Sequence, residues 1–243
     1  MLCRPWLACL FAPALLMAQH PRHDGKTPGP AADPARTQLP PPQHAPQPIL
    51  PPATALAWLR AAHARPRPTG THAPGADPVP ARPPAAGRYV TAVLVCADAD
   101  VDVPRLLGLP ARDVLLFSTP GGFADAEIAA ALERAATVER LSLCLLLTHR
   151  DCASLAAKAN TPATQALARR AAATHEFAAS RRLPLEQAQA LRQRELLLSL
   201  SEPLRALANE DRLRLVPASV DARTQDITWH TTRAEELPLA PVK

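Results

Sequence analysis

Two leucine-rich segments of the chain end in residues that can bind a soft metal ion. The first, AVLVCADADVD, covers residues 92–102 and contains Cys96; the second, LLLTHRDCAS, covers residues 145–154 and contains His149 and Cys152. Two thiolates and an imidazole are a common ligand set for tetrahedral zinc, and three protein ligands leave a fourth position for water or a carboxylate. The spacing alone leaves open whether His149 and Cys152 bind a metal or serve only the fold.

The elements that must position these residues alternate along the chain. The pattern predicts strands at Tyr89 to Val95, Asp113 to Phe117 and Leu141 to Leu147, and helices at Ala124 to Thr137, Ala163 to Arg182 and Leu185 to Ala208. Continuous apolar strands separated by helices are typical of an α/β fold with a mostly parallel central sheet flanked by helices. Functional groups gather at the carboxyl edge of such a sheet, where Cys96 would approach His149 and Cys152. Cys144 lies among leucines inside a predicted strand and is interpreted as a small core residue.

Two further segments complete the predicted domain. Residues 53–64, ATALAWLRAAHA, place Leu56, Leu59 and His63 on one face of a short amphipathic helix that must dock against another surface. Near the other end, RLRLVPASV and DITWHTT flank the polar residues 221–225, which predicts a pair of strands joined by a turn.

Composition indicates one folded domain preceded by an extended arm. Of 29 prolines, 18 lie between Pro21 and Pro84, where regular structure is hard to form. Net charge is +5, but residues 20–88 carry eight Lys/Arg against three Asp/Glu, whereas the chain from Tyr89 onward carries eighteen against nineteen. The predicted domain is therefore nearly neutral, and with only 3% aromatic residues it has few base-stacking groups, so no nucleic-acid partner is expected.

The first residues have the layout of a secretory signal peptide. Arg4 precedes an apolar run from Trp6 to Met17, and Ala18 offers a small residue for cleavage. We therefore expect a signal peptide at 1–18, a disordered proline-rich arm at 19–50 and a domain at 51–243, in a protein exported to the periplasm or secreted. No stable membrane span is expected after cleavage. A misassigned start and an N-terminal anchor are the alternatives. Cleavage would leave three cysteines, an odd number that does not favour a disulfide framework.

Four segments resemble the β-class carbonic anhydrases. VCADAD at 95–100 and LTHRDCA at 147–153 are similar to the family signatures C-x-D-x-R and G-H-x-x-C-G. The amphipathic helix resembles the family's N-terminal helix, ARDVLLFSTPGG resembles its G-D-x-F-x-x-R-N-A-G-N segment, and LVPASVDARTQDITW resembles its closing strand pair. The similarity spans roughly residues 51–229 in the family's order, and it implies the β-carbonic anhydrase fold.

This resemblance implies that Zn²⁺ is bound by Cys96, His149 and Cys152, with Asp98 as the catalytic carboxylate beside the open position. It further implies reversible hydration of carbon dioxide to bicarbonate by zinc-bound hydroxide, an activity of the carbonate dehydratase class, in a homodimer or higher oligomer. In the family the arginine of the first signature holds the aspartate away from the metal.

The chain departs from the family pattern around these residues. Asp100 stands where the arginine is expected, Ser118-Thr119-Pro120 replaces R-N-A, and Thr148 and Ala153 replace the two glycines of the second signature. An ungapped alignment places Gly87 where the family has a substrate-side glutamine. Such neighbours normally orient metal ligands and tune the metal, so zinc binding is the firmer expectation and turnover is expected to be weak or impaired.

Loss of the arginine predicts that Asp98 itself becomes the fourth metal ligand. A carboxylate without a cationic partner is costly to bury, and we expect Asp100 and Asp102, at strand spacing on the same side, to add like charge. Zinc is then the nearest strong cation. Two alternatives stay open: Arg150 or Arg105 replaces the missing arginine, or the three aspartates simply face water.

Three functions are consistent with these residues. The first is a zinc-dependent carbonic anhydrase with impaired turnover. The second is a catalytically inert, zinc-stabilised homologue with a binding or assembly role. In this case the proline-rich arm would act as an extended spacer that lets the domain contact a distant partner. The third is a redox or zinc-buffering protein that relies on its three cysteines.

The predicted arm can be tested by limited proteolysis. We expect residues up to about Leu50 to be cleaved without unfolding the domain, whereas cleavage between Leu56 and Leu59 should expose an apolar docking surface and reduce solubility. A protected fragment that begins well before Pro40 would contradict this prediction.

Overall fold

Four parallel strands and one antiparallel strand form the central sheet in the part of the chain that the structure describes. A computed structural model describes residues 49–65, 83, 86–158 and 160–230, all within one compact unit of residues 45–243. The predicted signal peptide and nearly all of the predicted arm lie outside these residues. The strands are β1 (Thr91–Cys96), β2 (Val114–Thr119), β3 (Leu143–His149), β4 (Arg214–Val220) and β5 (Ile227–Trp229). Their order is β2-β1-β3-β4-β5, and only β5 is antiparallel to its neighbour.

Both faces of the sheet are covered, which explains the continuous apolar sequences of β1 and β3. All residues of these two strands are buried. Successive side chains of a strand point to opposite faces. Accordingly Val93 and Leu145 belong to one core cluster, whereas Leu94 and Cys144 belong to the other. The predicted mostly parallel sheet flanked by helices is confirmed, and Cys144 lies in the core as expected.

Six helices surround the sheet in the described part of the chain. They are α1 (Pro52–His63), α2 (Val103–Leu107), α3 (Ala126–Thr137), α4 (Pro162–Arg181), α5 (Leu185–Leu200) and α6 (Glu202–Asn209). Leu56 and Leu59 of α1 are buried in the same cluster as Val93 and Leu145, so the predicted apolar face of α1 packs on the core of its own chain. Within the described ranges, none of these helices combines the length and the apolar character needed to cross a membrane.

The predicted helix from Leu185 to Ala208 is in fact two helices, and in this respect the sequence prediction was wrong. Ser201 is extended, with φ −135° and ψ 116°, and its hydroxyl accepts a hydrogen bond from the Leu204 amide at 3.1 Å as the N-cap of α6. Pro203 explains the break, because proline within a helix removes an amide donor and its ring clashes with the preceding turn. The helical periodicity on either side of Ser201 concealed this interruption.

A pair of leucine substitutions tests the docking of α1. Leu59 is completely buried, whereas Leu200, at the end of α5, is 44% exposed. Leu59→Ala should lower the free energy of unfolding by about 2–5 kcal/mol through lost burial and a residual cavity. Leu200→Ala should change it by less than about 0.5 kcal/mol. Urea denaturation followed by circular dichroism measures both values, and equal effects would show that α1 is not anchored as described.

Candidate metal centre

Cys96 and His149 are the last residues of two neighbouring parallel strands. Val95 of β1 pairs with Leu147 of β3, so the two strands end beside each other at the carboxyl edge of the sheet. Cys152 follows in the turn after β3 and is buried. His149 was predicted to follow its strand but is its final residue. The sheet register therefore positions both side chains.

Four potential ligand atoms converge at this edge. The side chains are those of Cys96, Asp98, His149 and Cys152, and one ligand atom from each lies within 4.8 Å of all the others. The two sulfur atoms are 3.5 Å apart. Thiolates bound tetrahedrally to zinc lie roughly 3.8 Å apart, given Zn–S bonds of about 2.3 Å. The sulfur separation therefore suits a shared zinc ion.

The imidazole of His149 gives an independent indication of a ligand. Its Nε2 atom is buried and has no hydrogen-bond partner among the described residues. This atom lies 3.6 Å from the Oδ1 atom of Asp98. A buried polar atom without a partner is costly, and a metal ion would satisfy it. The donor set and this unpaired nitrogen together fit zinc.

Asp98 lies among the metal-ligand candidates rather than beside an arginine. Its carboxylate is hydrogen-bonded to the Cys96 thiol, and its Oδ2 atom accepts a hydrogen bond from the Ser154 amide at 3.1 Å. No described arginine is within ion-pair distance of Asp98. The Arg150 side chain is 74% exposed and lies 3.9 Å from the carboxylate of Glu186. Arg105 is exposed on α2, so neither proposed substitute for the missing arginine contacts Asp98.

The three aspartates at 98, 100 and 102 do not share one strand face, which corrects the sequence-based expectation. β1 ends at Cys96, and the chain then turns, with the Ala99 amide donating to the Cys96 carbonyl at 3.1 Å. Asp100 is exposed and has a left-handed backbone with φ 47°. Asp102 is the N-cap of α2 and accepts a hydrogen bond from the Arg105 amide at 3.2 Å. Turn and cap formation therefore separate the three carboxylates.

The close packing of these groups alters their acidity. The contact with Cys152, together with burial, raises the pKa of the Cys96 thiol, and the same contact lowers the pKa of Cys152. Burial opposes ionisation of Asp98, but hydrogen bonds with Cys96 and the Ser154 amide hold the pKa of that carboxyl below its usual value. The neighbouring Cys96 raises the pKa of His149 despite burial. The pair of thiols thus releases its first proton more readily than its second, and a divalent cation would favour release of both.

Two residues that depart from the family pattern have clear structural roles. Thr148 donates from its hydroxyl to the carbonyl oxygens of Glu186 and Ala218, at 2.9 and 3.1 Å, and so ties the end of β3 to α5 and β4. A side chain at Gly87 would collide with the carbonyl oxygen of Glu139. Position 87 therefore has no room for a substrate-binding glutamine.

Two backbone amides at the centre were not identified from the sequence. The Gly121 amide donates to the Cys96 sulfur at 3.1 Å, and the Ser154 amide donates to Asp98. The only sequence signal for the first was the pair Gly121-Gly122 after a predicted strand. For the second, the sole clue was the position of Ser154 two residues after Cys152.

A cavity of about 520 Å³ adjoins the cluster. His149, Cys152, His175 and Glu186 are among its lining residues. This space gives a small molecule room beside two of the four potential ligands. Arg150, also in the lining, contributes a positive charge at the rim.

Comparison with solved structures places the fold with the β-carbonic anhydrases. A mutant form of the β-carbonic anhydrase CafD of Aspergillus fumigatus is similar over 63% of this chain and 94% of its own, with a TM-score of 0.52 and 17% identity. The β-carbonic anhydrase CcaA is similar over 60% of this chain and 81% of its own, with a TM-score of 0.52 and 14% identity. One of two tetrameric β-carbonic anhydrases from Sordaria macrospora is similar over 60% of this chain and 83% of its own, with a TM-score of 0.50 and 13% identity. No protein-family model and no curated protein matches the sequence.

Metal binding can be tested by comparing two cysteine substitutions. Wild-type protein should retain about one zinc ion per chain after dialysis. Cys152→Ala should lower zinc affinity by more than about 100-fold, since replacing even a neighbour of a ligand typically costs 10- to 100-fold. Cys144→Ala should leave affinity unchanged, because Cys144 lies in the core, where burial raises its pKa to about 12.

Metal analysis combined with chelator competition measures both effects. Unchanged affinity in Cys152→Ala would show that the ligand set is wrong. Equal loss in both variants would instead indicate damage to the fold.

Proposed function

We propose that this protein is a zinc-binding carbonic anhydrase-like protein that hydrates carbon dioxide slowly. Cys96, His149 and Cys152 would bind the zinc ion, and Asp98 would be the fourth ligand. The observation that carries this proposal is the position of Asp98, whose carboxylate lies among the other three ligand candidates and contacts no arginine among the described residues.

The chemistry requires a metal that activates water. Zinc, when bound, acts as a Lewis acid that lowers the pKa of a coordinated water toward neutrality. Asp98 would control access to this chemistry, because its carboxylate, as the fourth ligand, would exclude water from the metal. The Ser154 amide donates to Asp98 and would help to hold the carboxylate in that orientation.

Support for carbon dioxide as the substrate comes from the fold and from the space around the cluster. The similar solved structures described above are β-carbonic anhydrases. The adjoining cavity is large enough for so small a substrate, and His149 and Cys152 lie in its wall. This similarity of fold is the reason to prefer hydration over the redox or zinc-buffering alternative.

We also propose that the protein acts as a homodimer or higher oligomer after export. One of the similar structures is described as tetrameric, which supports self-association as a property of the fold. The proposal of export rests on the signal-peptide layout of residues 1–18. Light scattering of the purified protein measures its oligomeric state.

A single substitution tests the proposed cause of slow turnover. Asp100→Arg supplies a cation two residues after Asp98, as in the family signature, and a charge-assisted bond to Asp98 is worth about 1.5–3 kcal/mol. If this interaction frees the fourth position, the rate of carbon dioxide hydration should rise by roughly 10- to 100-fold. Stopped-flow measurement with a pH indicator follows the rate for both proteins at pH 7.

Asp226→Arg is the control for this experiment. Asp226 is exposed and belongs neither to the cluster nor to the lining of the adjoining cavity. The control therefore makes the same charge change away from the proposed site, and it should leave the rate unchanged. Rapid hydration of carbon dioxide by the wild-type protein at pH 7 would contradict the proposal of impaired turnover. If both the wild type and Asp100→Arg bind zinc but neither hydrates carbon dioxide, the result would favour the inert homologue with a binding or assembly role.

A further inference from the structure

A short segment after β2 supplies a hydrogen bond to one of the proposed metal ligands. The Gly121 amide lies 3.1 Å from the Cys96 sulfur. Gly121 has a left-handed backbone with φ 71°, and a side chain there would collide with the ring of Phe123. Glycine is therefore required for the backbone to approach the sulfur in this conformation.

The other polar group of Gly121 is bound by a buried glutamine of α5. Gln189 donates from Nε2 to the Gly121 carbonyl oxygen at 2.6 Å. Its own Oε1 atom accepts a hydrogen bond from the Thr174 hydroxyl of α4 at 2.8 Å. Gln189 is only 1% exposed and Thr174 is completely buried. Because burying an amide is costly unless both ends are paired, these contacts fix the side chain in one orientation.

The contacts thus form a chain from α4 through α5 to the proposed metal ligand. Thr174 orients Gln189, Gln189 holds the Gly121 carbonyl, and Gly121 presents its amide to Cys96. From this arrangement we infer that Gln189 is a positioning residue, which tunes the electron donation of Cys96 to the metal by fixing the amide that donates to the sulfur. The inference rests on the metal site of the proposed function.

The expected effect follows from the chemistry of thiolate ligands. An N–H group that donates to a thiolate sulfur stabilises negative charge on it and reduces the electron density available to the metal. Hydrogen bonding at ligand sulfur atoms tunes metal centres in this way in copper and iron–sulfur proteins. Residues that orient a ligand typically affect metal affinity by about 10- to 100-fold.

Helix α5, which carries Gln189, also provides a matched control. Gln193 lies one turn after Gln189 on α5 and is also 1% exposed. Its Oε1 atom accepts a hydrogen bond from the Ala124 amide at 2.8 Å, and none of its described contacts is with Gly121. Replacing it removes a buried glutamine of equal size without touching the contact to Cys96.

Cobalt spectroscopy of the full-length chain tests the inference. Wild type, Gln189→Met and Gln193→Met are each loaded with Co²⁺, and the thiolate-to-cobalt charge-transfer band is recorded; zinc affinity is measured by chelator competition. Gln189→Met should move the band to longer wavelength and lower zinc affinity by about 10- to 100-fold. Gln193→Met should leave the band and the affinity as in wild type.

The outcomes separate this inference from the proposed function. If Gln189→Met keeps the wild-type band and zinc affinity, or if Gln193→Met shifts the band equally, the role of Gln189 is overturned. The proposed metal site is not affected by either result. A wild-type protein that binds neither zinc nor cobalt overturns the proposed metal site and the inference with it. If Gln189→Met does not fold, Thr174→Val decides the question, since it removes the partner of Gln189 and should give a smaller shift in the same direction; an unshifted band overturns the inference.

Discussion

The parallel pairing of β1 with β3 is the constraint on which the site depends. Because these strands run side by side in the same direction, their carboxyl ends place Cys96 and His149 at one edge of the sheet. Every residue of both strands is buried, on one face of the sheet or the other, so the two strands are anchored side by side in the core. Cys152 needs only a short turn to join them. The chemistry at the edge is thus a consequence of how the core is packed.

The missing arginine gives this site its particular character. If a cationic side chain lay beside Asp98, it would pair with the carboxylate and hold it away from a metal ion. Here the described partners of Asp98 are the Cys96 thiol, the Ser154 amide and the Cys152 sulfur, with the His149 imidazole nearby. Three of these four groups are themselves potential metal ligands, so the carboxylate lies among them. Four convergent donors suit a structural zinc site better than an open catalytic one, which is why slow turnover is the expected behaviour.

Much of this arrangement could be predicted from the sequence, because it depends on local patterns. The runs of Leu and Val reveal the buried strands, and the ends of those runs reveal Cys96 and His149. The sequence did not reveal that the chain turns immediately after Cys96, since turn residues compete with strand continuation through contacts that periodicity does not record. It also did not reveal Gln189, because a glutamine on a helix is usually exposed, and only the tertiary contact with Gly121 explains its burial.

Identification of the fourth ligand of the proposed zinc ion tests the central claim most directly. A crystal structure of the zinc-loaded, wild-type protein near neutral pH would reveal it. We predict that a carboxylate oxygen of Asp98 contacts the metal directly, together with the sulfur atoms of Cys96 and Cys152 and a nitrogen of His149. A water molecule in that position, with Asp98 turned away and paired with an arginine such as Arg150 or Arg105, would contradict the account.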